Sequence, residues 1–434
     1  MTHRSPTVTV IIPTHNRSAE LRRTLDALCS QSFPCLEAEV VVVADGCTDG
    51  TVEMLRSYHA PFSLRVVEQP PSGPGAARNN GADSATGSLL IFLDDDVEPH
   101  LNLVAAHVQA HKRWPGRVVV GYYKPMIPEP HDFFRTELRY WWEMMFYRMR
   151  QPHHRYTYQD MLSGNFSIEA GVLTYVGGFD QALWSHEDYE LGVRLIEAGI
   201  DLRFEPDAFG FHHDASTLDR SLERKYQEGK ADILLAKRHP ELAPVLPMGS
   251  LKADLGGMNH LLSASVFRWP APGHLVASRL RGSLDLLEKM GLRSRWRRLL
   301  EQLQAYWYWK AVAEELPTRK EVSQFLWDCS ARSKSNGLEI ELDLSEGLEA
   351  AEQKLDELRP RGITIRYGQR LIGKIAPIPG AEPLRGALLR FMLRDELAAS
   401  LLKALMQEGV IENDPGVGWA MPSLGRLGPY WLSP

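Results

Sequence analysis

Three carboxylates in a row, Asp94-Asp95-Asp96, follow the apolar run Leu89–Leu93. Neighbouring like charges repel unless a cation or a donor neutralises them. Hard divalent cations take one or two such carboxylates together with phosphate oxygens. An acidic cap on a helix would use the same residue types, but the position directly after a buried strand favours a metal. Asp45-Gly46 closes another apolar run, Glu39–Ala44. It can make an Asx turn, or its carboxylate can accept the imide N–H of a uracil ring. The segment Gly73–Gly81 is glycine-rich yet lacks both Gly-Lys-Ser/Thr and GxGxxG, since Arg78 stands where the last glycine would be. On the first turn of a helix, Arg78 can reach a phosphate. Ser185-His-Glu-Asp188 reads either as a capping box or as a general base at a helix start. His212 and His213 are metal ligands or satisfied core residues. There is no GxSxG, HExxH or CxxC pattern, which removes the common hydrolase, metalloprotease and zinc-ribbon chemistries.

These clusters need elements to hold them, and the hydrophobic pattern supplies them. Val8–Ile12, Glu39–Ala44, Leu64–Glu68, Leu89–Leu93 and Arg117–Gly121 read as strands. Helical stretches follow the first four, at Ser18–Ser30, from about Asp49, at Gly75–Ser84 and at Leu101–Arg113. β-Branched runs without alternation are strands buried on both faces. Strand–helix repetition at this spacing predicts a mostly parallel α/β sheet. Ligands bind such sheets at the carboxyl ends of the strands, and the polar clusters sit there. Further along, Phe133–Met149 reads as a helix, Met161–Val176 as a loop and short helix, and Glu187–Ala198 as a helix. Short strands at Leu202–Phe204 and Ala208–His212 precede a polar helix, Leu218–Arg238. Phe133–Met149 has two apolar stripes. Phe134, Leu138, Trp141, Trp142, Met145 and Met149 share one face, and Phe133, Tyr140, Met144 and Tyr147 share the other. The second stripe suits the C-terminal part of the chain or, as a sharper reading, an acceptor or membrane surface.

Taken in order, the clusters resemble the inverting family 2 glycosyltransferases of GT-A fold, over roughly residues 7–240. The matching residues are Val10–Arg17, Ala44–Thr51, Gly75–Gly81, Phe92–Asp96, Gly164-Asn165, Gly177–Asp180, His186–Leu191 with Arg194, and His212/His213. The resemblance implies an α/β catalytic domain with a Rossmann-like sheet. It implies that Pro13, Thr14, Arg17 and Asp45 line a nucleoside pocket. Arg78 would approach the ribose or diphosphate, Asp94 the ribose, with Asp95 and Glu187 on the donor side. Gly164 and Asn165 would border the donor sugar. Asp96 would hold Mn²⁺ or Mg²⁺ with His212 or His213, and Asp188 would be the catalytic base. A UDP-sugar donor is favoured. The acceptor, whether glycan, lipid or small molecule, is not legible.

Composition bounds the rest. The chain has 434 residues, 44% hydrophobic and 24% charged, an ordinary globular make-up of two or three domains. Its net charge of −6 is uneven. Residues 1–240 hold 24 basic and 32 acidic side chains (−8), against 25 and 23 (+2) in 241–434. An acidic catalytic half argues against nucleic-acid binding. No run approaches the ~18 apolar residues of a membrane span. Four scattered cysteines and no apolar leader suggest a reduced, cytoplasmic location, with peripheral membrane contact allowed. Proline clusters and a pattern change suggest a catalytic domain at 1–245, a helical region at 246–316 and a small α+β module at 317–434. A nucleotidyltransferase is the rival enzyme, but it needs a glycine-rich, basic loop after the first strand, where Pro13–Arg17 stands. A non-catalytic sugar-nucleotide-binding protein is the rival outside catalysis.

Overall fold

The computed structural model describes residues 7–34, 37–126, 132–250, 261–333 and 337–410. It divides into two compact units. The larger spans residues 1–150 and 156–333, and the smaller 151–155 and 334–434. The proline-rich tail after Asn413 lies outside the described residues.

The larger unit is built on one eight-stranded sheet. Its strands are β1 (Val8–Thr14), β2 (Ala38–Asp45), β3 (Ser63–Gln69), β4 (Leu89–Leu93), β5 (Val97–Pro99), β6 (Val118–Pro125), β7 (Asn165–Glu169) and β8 (Leu202–His212), in the order β3-β2-β1-β4-β7-β6-β8-β5. β3, β2, β1 and β4 are mutually parallel, with Val10 paired to Val40 and Ile91. Val10, Ile11, Ile12, Val41, Val42, Ile91 and Phe92 are all buried. Burying each such side chain contributes about 1.5–3 kcal/mol, so the pairing register is strongly fixed. The second half of the sheet is mixed. β7 runs antiparallel to β4 and β6, β6 runs parallel to β8, and β5 runs antiparallel to β8.

Helices α1 (Ser18–Leu28), α2 (Thr51–Ser57), α3 (Pro74–Ser84) and α4 (Leu103–Arg113) follow the strands as the pattern predicts. α5 (Phe133–Met149), α6 (Ala170–Val176), α7 (Glu187–Glu197) and α8 (Leu218–Arg238) come next. α9 (Leu261–Arg268), α10 (Pro270–Lys289), α11 (Arg293–Glu315) and α12 (Arg319–Arg332) complete this unit. Trp296, Leu300, Leu303 and Trp309 of α11, with Val322 and Cys329 of α12, belong to the same buried core as the sheet. The helical region is therefore fused to the eight-stranded sheet, and the boundary falls at 333/334 rather than at 316/317. Among the described residues no helix is long and apolar enough to cross a membrane.

Two elements differ from the sequence pattern. β7 lies where a loop is expected. Its five residues form a central strand because β4 and β6 hold it from both sides, and such a short run has too little periodicity to reveal itself. The two short strands expected around residue 205 form one strand, β8, whose pairing with β6 shifts register between Gly121 and Tyr122. In α5 the buried residues are Phe134, Trp142, Phe146 and Met149.

The smaller unit has a three-stranded sheet ordered β11-β10-β9, of β9 (Glu339–Asp343), β10 (Gly362–Tyr367) and β11 (Arg370–Ile375). Helices α13 (Leu348–Leu358), α14 (Gly386–Asp395) and α15 (Ala398–Gln407) accompany it. Glu396-Leu397 separates the last two of these helices. Leu342, Leu355, Ile363, Ile365 and Leu389 form its core. Residues 151–155 join it through Arg155, whose Nε donates to the Glu382 carbonyl at 2.9 Å, and through His153, stacked on Phe391.

Candidate active site

The acidic triplet leaves the end of β4 and is met by cations from three other elements. Arg17, just ahead of α1, donates to Asp95 at 2.9 Å and to Asp96 at 2.7 Å. Thr14, the last residue of β1, donates its hydroxyl to the other Asp95 oxygen at 2.7 Å. Arg78 on α3 is 4% exposed. It bridges Asp94 at 2.9 Å and Glu187 at 2.8 Å. α3 can carry Arg78 this deep because Gly81 packs against β1; a Cβ there would stand 2.4 Å from Ile11 Cγ2. His212, ending β8, faces Asp96 with Nε2 at 3.5 Å from Oδ1.

These neighbours set the charge states. Burial pushes the Asp95 carboxyl up to about 7, against the pull of Arg17. Burial works in the same direction on Asp96, but its hydrogen bond to His212 and the charges of His212 and Arg17 bring that carboxyl down to about 2. Burial would lower His212, yet the hydrogen bond and charge of Asp96 raise it. Burial and the adjacent Asp188 charge raise Glu187. Two arginines and a histidine thus face the acidic triplet, as like charges gathered in one site require.

Asp188 sits on the first turn of α7 and is half-buried. Ser163 donates to one of its oxygens through the backbone N–H (3.3 Å) and the hydroxyl (3.2 Å). The other oxygen accepts from Tyr189 N at 2.9 Å. The capping-box reading of Ser185 and Asp188 fails. The N-cap is His186, in the left-handed region at φ 60° with no side-chain cap hydrogen bond. Arg78 hydrogen-bonds Asp94 and Glu187 rather than Asp188.

Several expected residues take other places. Asn165 is fully buried and accepts from His107 Nε2 at 2.9 Å. Its amide nitrogen donates to the carbonyls of Ala208 and Tyr122. Both ends of the amide are used inside the protein, so Asn165 positions the sheet rather than offering a contact to a sugar. Gly164 stays at the cleft; a Cβ there would stand 3.0 Å from Asp94 Oδ2 and 3.1 Å from Tyr123 Cζ. His213 pairs with Glu98 at 2.7 Å, so His212 is the histidine beside Asp96. Asp45 accepts from Gln69 (2.9 Å), Ser72 N (2.7 Å) and Gly73 N (3.0 Å), which builds the turn into α3. An ionised carboxylate has about four acceptor positions, so one remains for a ligand. Pro13 is half-buried beside it at the end of β1.

The residues present fit a divalent cation. Asp96 Oδ1 and His212 Nε2 are an oxygen and an imidazole nitrogen turned toward one another, a donor set that Mn²⁺ or Mg²⁺ accepts. Among the described residues no third His, Cys, Asp or Glu brings a ligand atom close to both, so the remaining positions would fall to phosphate and water. The one three-residue group among them is Glu197, His239 and Glu241, with ligand atoms within 4.8 Å of each other, around the other end of α7.

The sequence reading missed Tyr123, Ser163 and Trp184. Tyr123 is buried at the end of β6, where the Asp94 and Asp188 charges add to burial in raising its hydroxyl well above the usual range. Its place at a strand end was the available signal. Trp184 is 62% exposed, and its ring would lie 3.3 Å from a Cβ on Gly73.

Residues 9–175 match the family model for glycosyl transferase family 2. The validoxylamine A glucosyltransferase of Streptomyces hygroscopicus subsp. jinggangensis is 32% identical over 272 residues, covering 56% of this chain and 63% of that protein. Glycosyltransferase AglE of Haloferax volcanii is 29% identical over 241 residues, covering 54% of this chain and 75% of that protein. Among solved structures, a mannosyltransferase of Pyrobaculum calidifontis in complex with GDP-Man and Mn²⁺ is 20% identical. It covers 72% of this chain and 88% of that chain, with a TM-score of 0.49. Arg78 joins the acidic triplet at the end of β4 to the start of α7 in one site. The chain matches the glycosyl transferase family 2 model in its N-terminal region, over residues 9–175. It spans less than two thirds of the validoxylamine A glucosyltransferase sequence.

Proposed function

We propose that this chain transfers a sugar, with inversion, from a nucleoside-diphosphate donor to an acceptor hydroxyl, and that a divalent cation is required. The observation that carries the reading is the arrangement around Asp188. A half-buried carboxylate, anchored by Ser163 and free of an arginine hydrogen bond, adjoins a nucleotide-type site in which Arg17, Arg78 and His212 balance Asp94–Asp96.

The donor's nucleoside lies against Pro13, Thr14, Arg17 and Asp45, and the remaining acceptor position of Asp45 suits an imide N–H, hence a UDP-sugar. Asp94, held by the buried Arg78, faces the ribose, and Gly164 leaves room for the sugar. When bound, Mn²⁺ or Mg²⁺ on Asp96 and His212 would screen the charge that develops on the leaving diphosphate. Asp188 takes the proton of the acceptor hydroxyl. The freed oxygen lone pair forms the new bond to the anomeric carbon from the face opposite the diphosphate. The old C–O bond breaks, and its electron pair leaves with the nucleoside diphosphate. Attack from the opposite face inverts the anomeric configuration.

One relative is a glucosyltransferase, which favours hexose transfer as the class. The experiment is a thermal-shift screen of UDP-glucose, UDP-GlcNAc and GDP-mannose with Mn²⁺ or EDTA. A ligand at 100 times its Kd adds about 2.7 kcal/mol to stability. A cation-dependent shift with one donor supports the reading. Equal melting in every condition at millimolar donor contradicts it.

A further inference from the structure

His186 is a non-glycine residue at φ 60°, and it is the N-cap of the helix that begins Glu187-Asp188. A left-handed residue of this kind persists only where its surroundings over-determine it. The surroundings here are explicit. The ring lies flat on Tyr189, with centroids 4.7 Å apart and planes at 22°. Nδ1 is 3.0 Å from Asp232 Oδ1 on α8. Asp232 is 1% exposed. Its second oxygen accepts the hydroxyl of Tyr308 on α11 at 2.7 Å. α8 and α11 meet so closely here that a Cβ on Gly229 would stand 2.5 Å from the Tyr308 carbonyl oxygen. Two packed helices therefore fix the carboxylate that holds the ring.

We infer that the series His186–Asp232–Tyr308 is a positioning device for Asp188, making α8 and α11 part of the transfer machinery. This rests on Asp188 being the base. His186 and Asp188 flank Glu187, whose carboxylate Arg78 already ties to Asp94. Ser163 steadies Asp188 from the β7 side. Release of His186 would leave one side of this turn unheld. Burial alone would lower the His186 imidazole, yet the hydrogen bond and charge of Asp232 raise it to about 9, with Glu228 and Asp188 adding to the field. The imidazole is thus cationic at neutral pH and faces Asp232 and Glu228 from α8, Asp188 from α7, and the hydroxyl of Tyr308 through Asp232.

The test compares the full chain with its Asp232→Asn, Tyr308→Phe and Asp188→Asn variants. Two quantities are read: amide exchange across residues 186–190, and diphosphate release from whichever of UDP-glucose, UDP-GlcNAc or GDP-mannose the unaltered chain turns over fastest with Mn²⁺. Asp232→Asn should speed exchange in that turn and lower kcat at least about tenfold, with donor KM within about threefold. Tyr308→Phe should move both quantities the same way by less. Unchanged exchange and kcat in either folded variant overturns the inference, as does a kcat loss matched by the folded fraction alone. A normal Asp188→Asn variant overturns instead the reading on which it rests. If no donor is turned over, the function fails while the exchange data still decide the positioning.

Discussion

The residues of the candidate site divide by what holds them. Arg17, Arg78 and His212 each meet a carboxylate of the triplet within 3.5 Å. Their types were legible in the sequence because charges at strand ends have few other uses. Their pairings were not legible, since Glu187 and Arg78 are 109 positions apart. The choice between His212 and His213 needed the strand register, which turns His213 toward Glu98. Asn165 read as a ligand contact, and only its burial revealed a structural amide. Asp96→Asn should remove the cation dependence of donor binding. Isothermal titration of UDP with and without Mn²⁺ should differ at least tenfold, about 1.4 kcal/mol, in the unaltered chain and by less than twofold in the variant. Asp45→Ala leaves Ser72 N, Gly73 N and the Gln69 amide without their acceptor. Unpaired buried donors cost about 1–3 kcal/mol each, so a lower melting temperature should accompany weaker UDP binding. A variant with wild-type melting would show that water replaces the carboxylate.

At the scale of elements, the parallel half of the sheet was readable because β1, β2 and β4 are continuous apolar runs. The mixed half was not, since β7 is five residues long and owes its strand state to its neighbours. α5 shows how two apolar stripes are used. Trp142 sits edge-on to His212, with centroids 5.1 Å apart, and donates to Asp214 at 3.2 Å. Phe133 meets Trp296 of α11, so the fused helical layer takes one end of the second stripe. Tyr140 stays 57% exposed. Replacing Tyr140, Met144 and Tyr147 with Ser should leave melting within about 2 °C, since surface changes usually stay within about 0.5 kcal/mol. It should raise the acceptor KM or reduce liposome binding if this face serves the acceptor. A large fall in melting with normal acceptor kinetics assigns the face to packing. The α7 cap also predicts a pH effect. His186 is raised to about 9 in the folded chain from an unfolded value near 6.5. Its contribution is therefore full below about pH 6.5 and is lost as pH rises through 9, by up to about 3 kcal/mol. Urea unfolding at pH 6 and pH 9.5 should reveal that loss in the unaltered chain and a flatter profile in Asp232→Asn.

For the whole molecule, the proline breaks near 240–247 suggest a boundary, whereas the core runs through them. Trp296, Tyr306 and Trp309 are at most 1% exposed within the larger unit. A chain ending at 245 would strip this layer from α8 and should aggregate. A chain ending at 333 should fold and bind UDP, even with residues 151–155 deprived of their partners in the smaller unit. Sedimentation and thermal melting of the two truncations would separate these outcomes. The smaller unit has its own core, and nothing in its residue pattern assigned it a chemistry. The central claim, a general base at Asp188 beside a cation-dependent donor site, is tested most directly in the full chain. Nucleoside diphosphate release from the preferred nucleotide sugar is compared between the unaltered chain and Asp188→Asn, with donor affinity measured in parallel by calorimetry. Loss of a general base costs about 10²–10⁴ in rate, so release should fall by at least a hundredfold while donor affinity stays within about threefold. Undiminished release from a folded Asp188→Asn variant would contradict the account.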